Sequence, residues 1–201
     1  AVDPPKSVGV MDRDEMAIVK QIDTFFARPH PLAVRDDGRH AFIASLATNQ
    51  LMGIDTETDE TKLTRLSGTT QTLVQFAMTP DGNTLIAGGQ KTGQLLVFDA
   101  SQAPSLTVED TVRVGKQPWH PVISSDGSTA YVPNKGSNTI SVVDLGRGTV
   151  TATIEGEGLA QPHGTVLSAD GRYLFVSNNN RKGTYTPTGD NPDAGTIAVI
   201  D

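Results

Sequence analysis

The sequence predicts an all-β chain, a β-propeller built from four-stranded blades. Three observations carry that prediction. Asp-Gly recurs at Asp37-Gly38, Asp81-Gly82, Asp126-Gly127 and Asp170-Gly171, in steps of 44, 45 and 44 residues. An Asp closes an apolar run at Asp12, Asp55, Asp99, Asp144 and Asp201, and the first three Asp-Gly pairs each stand 18 residues before theirs. Each period also holds four short runs rich in β-branched residues, such as Val150-Thr151-Ala152-Thr153-Ile154. Asp-Gly between apolar runs marks a tight turn, because Gly accepts a positive φ and Asp bonds its own backbone. Four short strands in roughly 40–50 residues are one propeller blade, and a lone blade must stack on neighbours to cover its two faces.

The elements follow in order. Val8–Asp12 and Met16–Ile22 fit a third and a fourth strand, a half blade over 8–23. Whole blades are expected over 29–66, 74–114 and 118–156, and a blade lacking its outer strand over 162–201. The third blade shows the plan best: Val122-Ile123, the turn at Asp126-Gly127, Ala130-Tyr131-Val132, a polar loop, and Ile140–Val143 ending on Asp144. In the last blade the distance from Asp-Gly to the closing Asp is 31 residues, 13 more than in the others. With four to five blades, the chain is expected to form part of a larger, about seven-bladed ring completed by a companion chain or a further segment. The competing arrangement is a four-bladed ring in which Met16–Ile22 supplies the last blade's outer strand, since unpaired strand edges invite aggregation.

Composition agrees and excludes some partners. Gly (20) and Pro (12) fall mostly where turns are needed. Sixteen Lys and Arg against 23 Asp and Glu give a net charge of −7 with no basic stripe, which argues against nucleic acid and anionic membrane surfaces. No apolar run reaches the roughly 18 residues of a spanning helix, and no signal peptide opens the sequence. With no cysteine, disulfides, thiolate metal sites and thioether-linked haem are excluded within these residues.

Tyr131-Val132-Pro133-Asn134 and Phe175-Val176-Ser177-Asn178, each preceded by Pro and Asp-Gly, resemble the YVTN family of β-propeller repeats. Phe42-Ile43-Ala44-Ser45 and Leu85-Ile86-Ala87-Gly88 depart from that pattern. The resemblance covers about residues 8–201 and implies a periplasmic or extracellular protein. It also brings in a family that includes secreted proteins, surface-layer proteins and the propellers of cofactor-bearing oxidoreductases. Fold does not fix function, so the site rests on particular residues.

The unusual residues share one face. Pro29, Pro118 and Pro162 each stand eight residues before an Asp-Gly, and are followed by His30, Trp119 and His163, with His120 next to Trp119. These blade-opening segments converge at the top of the central channel. Imidazole is a common transition-metal ligand and proton carrier, so His30, His120 and His163 are candidate ligands for copper, another transition metal or a haem-type cofactor. Trp119 is either a stacking platform or a hydrophobic cap. The 13 extra residues lengthen the 178–194 loop on the same face, where Arg181 can clamp an anion and Tyr185 can pack on a ligand. Asn134 and Asn178 read chiefly as turn formers, Asn178 being also a candidate contact. His40, just past the opposite turn, is expected to be exposed. The acidic run Asp55–Glu60 lacks the Gly and terminal Glu of a calcium loop and reads as solvated. No phosphate loop, nucleophile elbow or His-Glu-x-x-His motif is present.

Three functions fit: an exported scaffold whose top face holds a small-molecule, cofactor or protein ligand; a periplasmic oxidoreductase propeller with a His-ligated copper or tetrapyrrole; and, from Pro29-His30-Pro31, a lactonase-like hydrolase.

Overall fold

The computed structural model describes residues 6–183, 185–186 and 194–201. Its strands form antiparallel sheets in chain order. A two-stranded sheet, β1 (Ser7–Asp12) and β2 (Ala17–Asp23), precedes blade one: β3 (Pro29–Val34), β4 (His40–Ser45), β5 (Gln50–Asp55) and β6 (Thr61–Arg65). Blade two holds β7 (Leu73–Met78), β8 (Thr84–Gly89), β9 (Gln94–Asp99) and β10 (Thr107–Arg113). Blade three holds β11 (Val122–Ile123), β12 (Thr129–Asn134), β13 (Thr139–Asp144) and β14 (Thr149–Ile154). The last sheet has three strands, β15 (Pro162–Leu167), β16 (Leu174–Asn178) and β17 (Thr196–Ile200).

The core lies between sheets and not within one pair of them. Phe42, Leu51, Leu73, Leu85 and Phe98 pack between blades one and two. Ile86, Val97, Val132 and Val143 pack between blades two and three, and Ile140, Leu159, Leu174 and Val176 between blade three and the last sheet. Val8 and Ile22 lean on Ile43, Met52 and Ile54 of blade one. Adjacent residues serve opposite interfaces, Phe42 one and Ile43 the other, Leu85 one and Ile86 the other, as a period of two requires. This serial wedging is the propeller arrangement; a two-sheet sandwich would share a single core. Middle strands are therefore apolar on both faces, and all six residues of β4 are buried.

Four near-identical turns join the first two strands of each blade. Gly38, Gly82, Gly127 and Gly171 all have φ between 70° and 76°. In three of them a hydroxyl two residues before the Asp donates to its carboxylate: Thr79 to Asp81 at 2.6 Å, Ser124 to Asp126 at 2.5 Å and Ser168 to Asp170 at 2.5 Å. These bonds hold the three carboxyls below the ordinary value, Asp126 down to about 2, with the hydroxyl bond the leading cause. Asp55, Asp99 and Asp144 likewise accept from turn amides after their strands, at Glu57, Ser101 and Arg147.

His40 departs from expectation. It is buried (8% exposed), opens β4 opposite Asp55, and sets Nε2 3.7 Å from the Asp55 carboxylate. Proximity to a turn suggested exposure, but β4 is covered on both faces from its first residue. Among the described residues β2 pairs with β1 and β17 with β16, so β2 does not supply an outer strand to the last sheet.

Close sheet approach depends on missing side chains. A Cβ on Gly53 of β5 would stand 1.9 Å from the Pro104 carbonyl oxygen of blade two. Gly53→Ala is expected to cost about 3 kcal/mol in urea unfolding, since backbone blocks its path and overpacking of this kind is severe. Gly156→Ala, where nothing lies within 4 Å and φ is not positive, is expected to change stability by less than about 0.5 kcal/mol.

Candidate functional site

In every sheet the connection between second and third strands, and the link to the next sheet, emerge at the same end, here called the upper end. Blade three starts irregularly there. Pro118 makes an isolated bridge to Asn134, and the Trp119 amide donates to the Pro133 carbonyl at 2.9 Å. This turns Trp119 and His120 toward the next blade-opening segment. The His120 amide donates to the His163 carbonyl at 3.2 Å, and the Thr165 hydroxyl to the His120 carbonyl at 2.6 Å.

The three rings gather as a result. Trp119 and His163 have centroids 4.7 Å apart, His120 and His163 4.8 Å, and Trp119 stacks with His120 at 6.3 Å and an interplanar angle of 23°. Lys135 sets its ammonium 4.5 Å from the Trp119 ring centroid, a cation–π contact from the loop between β12 and β13. The Trp119 Nε1 donor is buried without a partner. On the far side of His120 a shallow groove of about 260 Å³ runs along Gly164, Val166, Phe175 and Ile197.

The site is electropositive without charged imidazoles. Burial, then His120, Lys135 and Arg181, push the His163 imidazole down to about 4. His120 is lowered by burial first and then by His30, and Lys135 by burial and then Arg181. Both clustered histidines are thus neutral at pH 7, with free lone pairs.

The expected residues divide. The structure brings together Trp119, His120 and His163, with Arg181 close enough to act on His163 electrostatically. His30 is exposed and influences His120 only through charge. Among the described residues no three His, Asp or Glu side chains form a metal-binding group, so His30 does not join the other two as a third ligand. Among those residues no carboxylate is hydrogen-bonded or ion-paired to His30, His120 or His163; the His–Asp approach lies elsewhere, at His40 and Asp55. Asn178 is buried, with its Oδ1 accepting from the Ala160 amide and its Nδ2 donating to the Val176 carbonyl. Asn134 is similarly buried, donating to Thr139 and Ser141. Tyr185 is half-buried and held through its backbone by Asn180. Residues 184 and 187–193 of the long loop lie outside the described residues. Lys135 was not singled out in the sequence; its place, nine residues after Asp126, was the available signal.

The chain is similar in structure to hydrazine synthase from Kuenenia stuttgartiensis, with a TM-score of 0.73 and 24% identity over 89% of this chain and 47% of that one. It therefore spans about half the length of that protein, and the likeness shows the fold alone. No family model matches the sequence, and no curated protein matches it.

An NMR titration is expected to place the His163 ring midpoint near 4, and Lys135→Met to raise it by removing a neighbouring cation. The unfolded chain takes this proton at the ordinary value of 6.5, whereas the folded one resists it until about 4. Stability should therefore fall as pH drops through that window, and His163→Gln should flatten part of the decline, His120 supplying the remainder with the same sign.

Proposed function

We propose that this chain is a YVTN-type, exported propeller scaffold whose upper end holds a planar, anionic ligand or cofactor. The observation that carries this reading is the neutral Trp119–His120–His163 cluster set beside the cations Lys135 and Arg181, which hold no carboxylate among the described residues. Flat π surfaces receive a planar ligand by stacking, and the nearby cations complement its charge. The exposed Val166, Phe175, Ile197 and Val199 at one end of the arc, and Val10, Met11, Ile18 and Val19 at the other, fit packing against further blades of an about seven-bladed ring.

A second reading, the propeller of an oxidoreductase, is favoured by the two neutral imidazoles 4.8 Å apart, the form that ligates copper or a tetrapyrrole iron. The structural likeness to a hydrazine synthase is compatible with it.

Trp119 is the single tryptophan, so its fluorescence reports on this site alone. Titration with 8-anilinonaphthalene-1-sulfonate and with haemin is expected to quench it saturably near one equivalent. A His120→Ala/His163→Ala variant that remains folded should weaken the effect roughly tenfold. Absence of saturable quenching would reject the reading, and a stoichiometric metal or a Soret band in protein purified without chelator would favour the oxidoreductase.

A further inference from the structure

We infer that a second site, in the cleft between blades two and three at the upper end, binds a small multivalent anion carrying several phosphate or carboxylate groups. The cleft is about 660 Å³, within the range of small-molecule sites. Its walls come from separate segments: Lys91 and Gly93 between β8 and β9, Arg113 at the end of β10 and Lys116 just after it, Gly136 between β12 and β13, and Lys182 from the long loop. Among the described residues four cationic side chains line it and no carboxylate does.

What sets this cleft apart is four cations gathered without a carboxylate among the described residues; six cations outside it are ion-paired, and Arg13, Arg28 and Arg65, which are not, line no part of it. Lys20, Arg35, Arg39, Lys62, Arg147 and Arg172 each hold a carboxylate within 4 Å. Among the described residues Lys91, Arg113, Lys116 and Lys182 hold none, although the chain carries 23 acidic residues against 16 basic ones. Four like charges around one cleft repel each other unless an anion sits between them, and the neighbouring Lys135 and Arg181 add to the field. Arg113 offers a planar fork for two anionic oxygens, while the lysines act as movable point charges. Glycines at 93 and 136 let the wall segments approach closely, since a Cβ there would stand 3.2 Å from the Gly115 carbonyl oxygen and 3.0 Å from the Lys116 Cβ. The occupant is thus a compact ligand of about three to four negative charges, matched to the four cations by charge complementarity. This inference does not rest on the ring cluster, because an oligophosphate has no plane to stack on Trp119.

The test is calorimetric titration with tripolyphosphate and, in parallel, with citrate, at 50 mM and 300 mM NaCl. The expected result is saturable binding near one equivalent that weakens severalfold at the higher salt. Arg113→Gln/Lys116→Gln should weaken it by roughly tenfold or more, and Lys91→Gln/Lys182→Gln, a second pair in case the first fails to fold, should act in the same direction. All four side chains are exposed, so folding of both variants is expected and is checked by circular dichroism. Tighter binding of tripolyphosphate assigns a phosphate ligand, and tighter binding of citrate a carboxylate one. No saturable binding of either at 50 mM salt, or affinity in both folded variants unchanged from that of the parent protein, would overturn the inference. So would a hexaglutamate peptide that binds more tightly than both anions, since that points to an acidic protein segment.

Discussion

Blades two and three meet where a side chain does not fit. A Cβ on Gly88 would lie 3.0 Å from the Trp119 carbonyl oxygen and 3.1 Å from that of Pro118, and one on Gly115 would lie 2.5 Å from the Asn134 side chain. Backbone thus rests on backbone at this interface, which is closer than side-chain-separated sheets allow. The seating of Pro118 and Trp119 against Gly88 fixes the start of blade three, and through it the direction of Trp119 and His120. The ring cluster is in this sense a product of sheet spacing. Its members touch because two successive blades are wedged tightly enough for their opening segments to share hydrogen bonds.

The same architecture sorts charge along the axis. At the lower end the recurring aspartates are consumed by turns: Asp81, Asp126 and Asp170 by a hydroxyl and an amide, Asp55 and Asp144 by amides and arginines. Their negative charge is held in place by local bonds that also lower their proton affinity. At the upper end cations project from loops whose described acidic residues are few, Glu155 and Glu157 among them. A chain of net charge −7 therefore presents an electropositive end, and its overall charge says little about what approaches that end.

Much of this was legible in the sequence because turn chemistry is local. A positive φ at Gly127 and a carboxylate reaching back to its own turn need only the residues near them, and both recur on a fixed period. Trp119 and His163 share an offset of seven residues before Asp-Gly, with His120 one residue later, which placed them on one face; His30 has the same offset but stays exposed outside the cluster, so the contact itself depends on how blade three meets the last sheet. Other features depend on tertiary context. The turn beside His40 predicts exposure, yet β4 is sealed by sheets from elsewhere in the chain. Asn178 reads as a turn former from its place in the repeat, but the partner its side chain finds, the Ala160 amide, comes from the link to the last sheet and is not visible locally. The cationic cleft is assembled from four segments distant in sequence, so only the packing of blades two and three brings Lys91 beside Lys116.

Asn180 has a further consequence. It is buried, adopts φ 46°, and its single side chain bonds the Tyr185 amide and carbonyl and the Ala194 carbonyl. One amide group therefore clasps both roots of an insertion where it leaves and rejoins the sheet. The bonding that ties Tyr185 to Ala194 through Asn180 closes the base of the excursion beside the ends of β16 and β17, so the positions of those strands are set by residues flanking it and not by its length.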